Sequence, residues 1–290
     1  MARILMASLA AASGADVPDS AFAVAEKRLS LWERLYETDW LRRVLVVASL
    51  ALAWELYALW LQNGILFPTF HQTMAALWKA TVSGTLLLRA WYSIKVLLAG
   101  YAIGAVLALL LTALAMSNRI ARDYLTTLTS MFNPLPSIAL LPIALLWFGL
   151  GIGSIIFILI HSVLWPLALN FHTGFQSVPT VLRMVGRNYA LSGRRYVFQI
   201  LIPAAFPSIL AGLKIGWAFA WRTLIAAELI FGVNSGGGGI GWFIYERKNQ
   251  LEIPDVFAGL LAIIIIGLLV DNFVFRLIEN KTVRKWGTQS

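Results

Sequence analysis

The sequence predicts an all-α polytopic membrane protein with about six transmembrane helices. Three observations predict it. Of the 290 residues, 59% are hydrophobic and only 13% are charged, where a soluble domain carries about 25% charged residues. The apolar residues are gathered into runs close to the ~20 residues that a helix needs to cross a bilayer. The Lys and Arg residues, 23 against 14 Asp and Glu, fall mostly between those runs, as cytoplasmic loops require. A net charge of +9 could serve nucleic acid. Its place between apolar runs points instead to loops beside membrane lipid, with no nucleic-acid partner. The chain has no cysteine, which excludes disulfides, Cys-ligated metal and thiol nucleophiles.

Residues 1–40 read as a cytoplasmic N-terminal tail, 41–280 as the transmembrane domain and 281–290 as a cytoplasmic C-terminal tail. The opening "MARILMASLAAASGA" has the form of a weak secretory signal: Arg3, a short apolar core, then small residues. Cleavage there would place residue 40 outside and every later basic cluster outside with it, so the signal reading is rejected.

The first span is expected at 43–62, where Glu55 must face protein. The mixed stretch 63–84 reads as an interfacial helix at the outer surface. The second span is expected at 92–116, with Gly100, Gly104 and Ala108 recurring every fourth residue. Small residues at that spacing let helix backbones approach closely, within one chain or across a dimer seam. The third span is interrupted by Pro134, Pro136 and Pro142, so it must kink or break. A break at membrane depth is tolerated only where protein or a water-filled cavity covers it. "GLGIG", 149–153, makes a tight outer turn. The fourth span, 154–174, carries His161, Trp165 and His172 along one face. A loop at 177–206 follows, then a fifth span at 208–232 and a sixth at 256–278.

Basic residues set the orientation. With the N-terminus inside, the inner segments hold Arg28, Arg34, Arg42, Arg43, Arg119, Arg122, Arg183, Arg187, Arg194, Arg195, Lys281, Arg284 and Lys285. The outer segments hold chiefly Lys79, Arg89, Arg247 and Lys248. Both termini and the 177–206 loop are therefore expected in the cytoplasm.

That loop has two readings from its residues. Its arginines satisfy the positive-inside bias beside lipid headgroups, or it folds as a short helix that docks a soluble partner. "VLRMVGRNYALSGRR" is amphipathic at helical spacing, with Val181, Met184 and Val185 on one side and Arg183 and Arg187 on another. Gly193 suits a helix end, and Pro203 and Pro207 are expected to open the next helix.

The stretch is similar to the cytoplasmic loop of ABC importer permeases, in the branch that moves nitrate, sulfonates, taurine and related small compounds. The family pattern is Glu-Ala-Ala, three residues, Gly, then about a dozen residues to Leu-Pro. Counted back from Pro203, those positions are Met184, Val185 and Gly186, then Ala190, so the acidic residue of the pattern is replaced. "ILIPAAFPSILAGLKIGWAFAWRTLIAAELI", "NPLPSIALLPIALLWFGLG" and "GIGWFIYE" carry the rest of the resemblance, which covers roughly 90–285. It implies a type I ABC importer permease in a bacterial inner membrane, for a small, anionic solute. The implied partners are a second permease copy in a homodimer, ABC ATPase subunits and an external solute-binding protein. Met184, Val185, Gly186, Arg187, Tyr189, Ala190, Ser192, Gly193 and Arg194 would form the ATPase-coupling loop.

No G-x-x-x-x-G-K-[ST] occurs in the chain. "NSGGGGIGW", 234–242, lacks the lysine and reads as a flexible or re-entrant outer loop. ATP and Mg are thus expected on the partner ATPase. No cofactor, catalytic residue or metal is expected on this chain, which is read as a transport subunit and not an enzyme.

The candidate pathway lies on the fifth span. Lys214, Arg222 and Glu228 interrupt an apolar helix, and a charge near the bilayer centre normally faces protein or a water cavity. Trp217, Trp221, Leu224 and Glu228 share a face at helical spacing, either as packing or as an aromatic wall. Arg222 is either half of a buried ion pair, with Glu55 as a candidate partner, or a cationic contact for an anionic solute. His161, Asn170 and His172 are weaker pathway candidates. Residues 161 and 172 lie about 16 Å apart along one helix, too far to share a metal. An ion-coupled secondary transporter is the alternative function, but no second copy of the proline-interrupted span is found. A membrane-embedded enzyme would need a catalytic constellation, and none has suitable spacing.

Overall fold

The computed structural model describes residues 38–231 and 238–282, and among them every regular element is helical. The chain divides into the units Met1–Ala53 and Trp54–Ser290. Helix α1, Asp39–Leu61, starts in the first unit. Asp39 pairs with Arg42 there, an acid at the positive end of the helix dipole. Val44, Leu45, Val46, Val47 and Leu50 are exposed, and a helix apolar on every exposed side suits lipid and not water.

In the second unit, α2 spans Phe70–Val82 and is closed at its start by a capping box of Thr69 and Gln72. Glu55, near the end of α1, accepts from the His71 backbone N–H at 3.2 Å and contacts His71 Nδ1 at 2.8 Å. Trp54 donates to the Pro68 carbonyl at 2.9 Å and packs with Phe67, Phe70 and Phe257. The Glu55 carboxylate is therefore engaged at the start of α2 and does not pair with Arg222.

Helices α3, Thr85–Ser117, α4, Arg119–Phe132, and α5, Leu141–Phe148, precede the central helix α6, Ile152–Gln176. Of the most apolar window of α6, 56% is buried within the protein, against 33% for α3. Two small-residue stripes explain that position. A Cβ on Gly100 or Gly104 of α3 would sit 2.6 Å from Leu159 Cβ or 2.9 Å from Val163 Cβ. On the other side, Gly212 and Gly216 admit Asn170 and Leu167 in the same way. The every-fourth-residue stripe of α3 is thus filled within the chain, where close approach maximises dispersion contacts.

Between α4 and α5 the chain bends by 91°. Pro134 and Pro136 occupy the break, and a 3₁₀ turn at Ser137–Leu140 leads into α5. Pro142 does not belong to the break. It stands in the first turn of α5, where a missing N–H has no intrahelical partner to lose.

After α6 come α7, Thr180–Asn188, α8, Gly193–Tyr196, and α9, Ile202–Phe231, with a π turn at Val197–Leu201 joining the last two. The expectation that Pro203 and Pro207 open this helix is corrected. The membrane-length segment starts at Val197, and Pro207 lies inside it. The wider π turn precedes Pro203 and leaves room where the ring would clash with a regular turn. Helix α10, Ile240–Asn249, α11, Ile253–Leu269, a π turn at Val270–Phe275 and α12, Arg276–Lys281, complete the described chain. Five segments are long and apolar enough to cross a membrane, or six with the bent α4–α5 pair counted as one span.

Candidate solute pathway and coupling segment

The break between α4 and α5 opens a cavity of ≈ 410 Å³ against α6 and α9. Helical spacing supplies its walls: His161 and Trp165 one turn apart on α6, and Phe219, Arg222, Thr223 and Ala226 along one stripe of α9. Phe132 stacks on Trp165, with centroids 5.1 Å apart and planes at 18°. Ser137 Oγ lies 3.1 Å from His161 Nδ1. Two buried atoms along this wall, His161 Nε2 and Trp165 Nε1, have no hydrogen-bond partner among the described residues.

Arg222 is held by its own helix. Its Nε donates to the Ala218 carbonyl at 3.0 Å, and its guanidinium lies over the Phe219 ring, 5.2 Å from the centroid. Among the described residues no carboxylate lines the cavity. Among the described lining residues Arg222 is the one cation, beside the polar side chains of Asn133, Ser137, His161, Ser162 and Thr223 and the apolar carbon of Phe132, Ile138 and Phe219.

The other pathway candidates lie elsewhere. Trp217 packs between Tyr101 and Phe275, with centroids 5.7 and 6.3 Å away. Trp221 and Leu224 are buried in the core. Asn170 donates to the Pro166 carbonyl at 2.8 Å, on its own helix, and its Cβ meets Gly212. None of these lines the cavity.

Glu228 is 3% exposed and sits between α3, α9 and the start of α10. It accepts from Ser93 Oγ at 2.7 and 2.9 Å and from the Gly241 N–H at 2.9 Å. The Ile240 N–H donates to Ser93 Oγ at 2.9 Å. Helix N-termini leave such N–H groups unpaired, and here a buried serine and carboxylate take them. A Cβ on Gly239 would fall 2.0 Å from Glu228 Oε1, so part of the glycine run serves this close approach. Residues 232–237 of that run lie outside the described residues. Arg89 adds a bond to the Gly238 carbonyl at 3.3 Å and an ion pair with Glu246 at 3.2 Å. The sequence reading missed Ser93 and Arg89; nothing local marks a serine that meets a glutamate 135 residues away. Lys214 likewise has a partner, Glu279, at 2.6 Å.

The coupling candidates gather around α7. Arg183 donates to the carbonyls of Phe175 at 2.8 Å and Val178 at 3.2 Å, tying α7 to the end of α6. Gly186 is buried against Tyr196, whose ring would stand 2.9 Å from an added Cβ. The Leu191 N–H donates to the Gly186 carbonyl at 2.9 Å, and Ala190 turns the chain at φ 52°. That left-handed conformation favours glycine, the residue of the family pattern at this place. Gly193 is also left-handed, at φ 54°. Met184, Tyr189 and Val185 remain exposed, at 61%, 77% and 37%, with Arg187, Ser192 and Gly193 exposed beside them. The Arg194 side chain lies outside the described residues.

Residues 100–283 match the family described as binding-protein-dependent transport system inner membrane component. An ABC transporter permease protein of Methanocaldococcus jannaschii is 31% identical over 245 residues, 82% of this chain and 90% of its own length. The nitrate import permease NrtB of a Synechocystis strain is 36% identical over 175 residues, 60% of this chain and 62% of that protein. SsuC of Bacillus subtilis, assigned to aliphatic sulfonate transport, is 28% identical over 248 residues, 85% of this chain and 88% of its own length. With the bent third span and the membrane-length helices around it, these matches remove the secondary-transporter alternative: the chain belongs to the binding-protein-dependent inner membrane components, the permeases of ABC importers.

Proposed function

We propose that this permease conducts a small anion, of the nitrate or sulfonate kind, and that Arg222 is its contact at the helix break. One observation carries the reading. Arg222 lines a cavity that has no carboxylate among the described residues, and its own backbone and Phe219 hold it in place. The names of the similar permeases, for nitrate and for aliphatic sulfonates, support the anion class. Within the same proposal, two copies pair around the pathway, and a solute-binding protein delivers the anion from outside. An ABC ATPase holding ATP and Mg docks on the exposed apolar side of α7 in the cytoplasm, with residues 184–194 as the contact. Both termini are on that side.

The test is uptake into proteoliposomes holding the permease with its ATPase and binding protein. Arg222→Ala should cut uptake per assembled complex while the yield of complex stays level. Unchanged uptake per complex would overturn the reading.

A further inference from the structure

Three separate cavities follow one another along α4, each sharing wall residues with the next. The cavity at the break shares Asn133 and Pro134 with a second, of ≈ 350 Å³. The second shares Arg122 and Gln176 with a third, of ≈ 390 Å³, which ends at Thr180 and Arg183 of α7. The series thus runs from the wall that holds Arg222 to the wall that holds Arg183 of the coupling segment.

The second cavity is walled by one stripe of α4 and the last turns of α6, and among the described residues no carboxylate lines it. Two polar side chains on its wall are more than nine-tenths buried: Thr129 at 4% and His172 at 8% exposure. Thr129 Oγ1 and His172 Nδ1 have no hydrogen-bond partner among the described residues, and leaving such groups unpaired is costly. Gln176 Nε2 stands 2.8 Å from His172 Nε2. An amide nitrogen only donates, so His172 Nε2 is the acceptor, and a neutral ring then carries its proton on Nδ1. Arg122 lines this cavity and the next, and none of the salt bridges among the described residues includes it.

We propose that Arg122, Thr129 and His172 form a second anion-coordinating site, which takes the small oxyanion from Arg222 by way of Asn133. The proposal rests on the reading of Arg222 above. An oxyanion offers only acceptors; the Arg122 side chain lines the cavity, and the unpaired Thr129 hydroxyl and His172 Nδ1 lie buried at its wall. Two modest sites in series suit conduction, which needs binding strong enough for entry and weak enough for exit.

The lack of cysteine permits a direct test in the full complex. Single thiols are introduced as Ser130→Cys on the second cavity and Thr223→Cys on the first. Each is treated with an anionic sulfonatoethyl and a cationic trimethylammonioethyl methanethiosulfonate, with rates corrected for the reagents' reactivity toward a free thiol. The Ser130→Cys thiol should prefer the anionic reagent by about tenfold or more, the lower range for electrostatic focusing in a cleft. Arg122→Gln should abolish that preference and Arg122→Lys should retain it, with Thr223→Cys unaffected by either. Equal rates at Ser130→Cys, or no reaction with either reagent, overturn the second site. If Thr223→Cys still prefers the anion, the Arg222 reading stands; if neither thiol does, both fall. Reconstitution in phosphatidylcholine with and without phosphatidylglycerol separates free anion from lipid headgroup. A preference lost on adding the anionic lipid would assign the site to lipid and overturn the pathway role.

Discussion

Ser93 on α3 holds Glu228 on α9 at 2.7 Å and in the same step accepts the Ile240 N–H at 2.9 Å. One buried hydroxyl thereby fastens three helices. Ser93→Ala should lower the stability of the complex by about 1–3 kcal/mol, because the carboxylate loses a donor and the Ile240 N–H its acceptor. Gly239→Ala should do similar damage by pushing a methyl into Glu228. Uptake per folded complex should stay level in both. Thermal unfolding in detergent beside uptake measures the two effects, and uptake lost at unchanged stability would move Glu228 into the pathway.

The α3–α6 contact makes a second prediction. Gly100 and Gly104 meet Leu159 and Val163 at distances that exclude any side chain. Gly100→Val should cost roughly 1–3 kcal/mol through overpacking. Adding Leu159→Ala should recover part of that loss, since the two residues share one space. The recovered yield of folded protein measures the coupling; strictly additive losses would mean that the helices separate instead of repacking.

Ala190 carries a third. A non-glycine residue at φ 52° sits in a region that costs L-residues roughly 1–2 kcal/mol. Ala190→Gly should remove most of that strain and strengthen co-purification with the ATPase. Ala190→Val should weaken it, because a β-branched residue resists the left-handed region. Weaker co-purification with glycine than with alanine would show that the turn opens when the ATPase docks.

The helix pattern was legible because its signals are local. Apolar runs, Pro134 with Pro136, and the Gly100–Gly104 stripe each act within a few residues, and each has its expected consequence in the fold. Pro142 and Pro203 were misplaced because a proline forbids a hydrogen bond without saying which turn yields. At Pro142 it was the first turn of α5, and at Pro203 a π turn before it. Arg222 stands out by the cost of a charge in the membrane and His161 only as a weaker pathway candidate, and the fold brings both to one cavity. Trp217, Trp221, Asn170 and Glu228 have the same polar or aromatic character but lie in the core, on their own helix or against a distant partner, and none lines that cavity. Sequence could not separate the two groups, since the partners of Glu228 lie 135 residues away on α3 and on another helix start.

Arg222 bears the last prediction. The ion-pair reading required a carboxylate partner, and Glu55 is committed to His71 while Glu228 is committed to Ser93 and Gly241. Removing the Arg222 guanidinium therefore leaves no buried carboxylate unpaired among the described residues. The 3–5 kcal/mol loss typical of half a broken buried ion pair should not appear, and Arg222→Ala should assemble at near wild-type yield. Uptake should fall strongly, because the cavity then meets the anion with neutral donors alone. Arg222→Lys should restore part of it: the charge returns, but a lysine cannot keep both the bond to the Ala218 carbonyl and the flat contact with Phe219 that aim the guanidinium. Initial uptake rate and yield of complex, measured on the same three preparations, separate the roles. A large loss of yield in Arg222→Ala, rescued by Lys together with full uptake, would make Arg222 a structural cation of α9 rather than a contact for the solute.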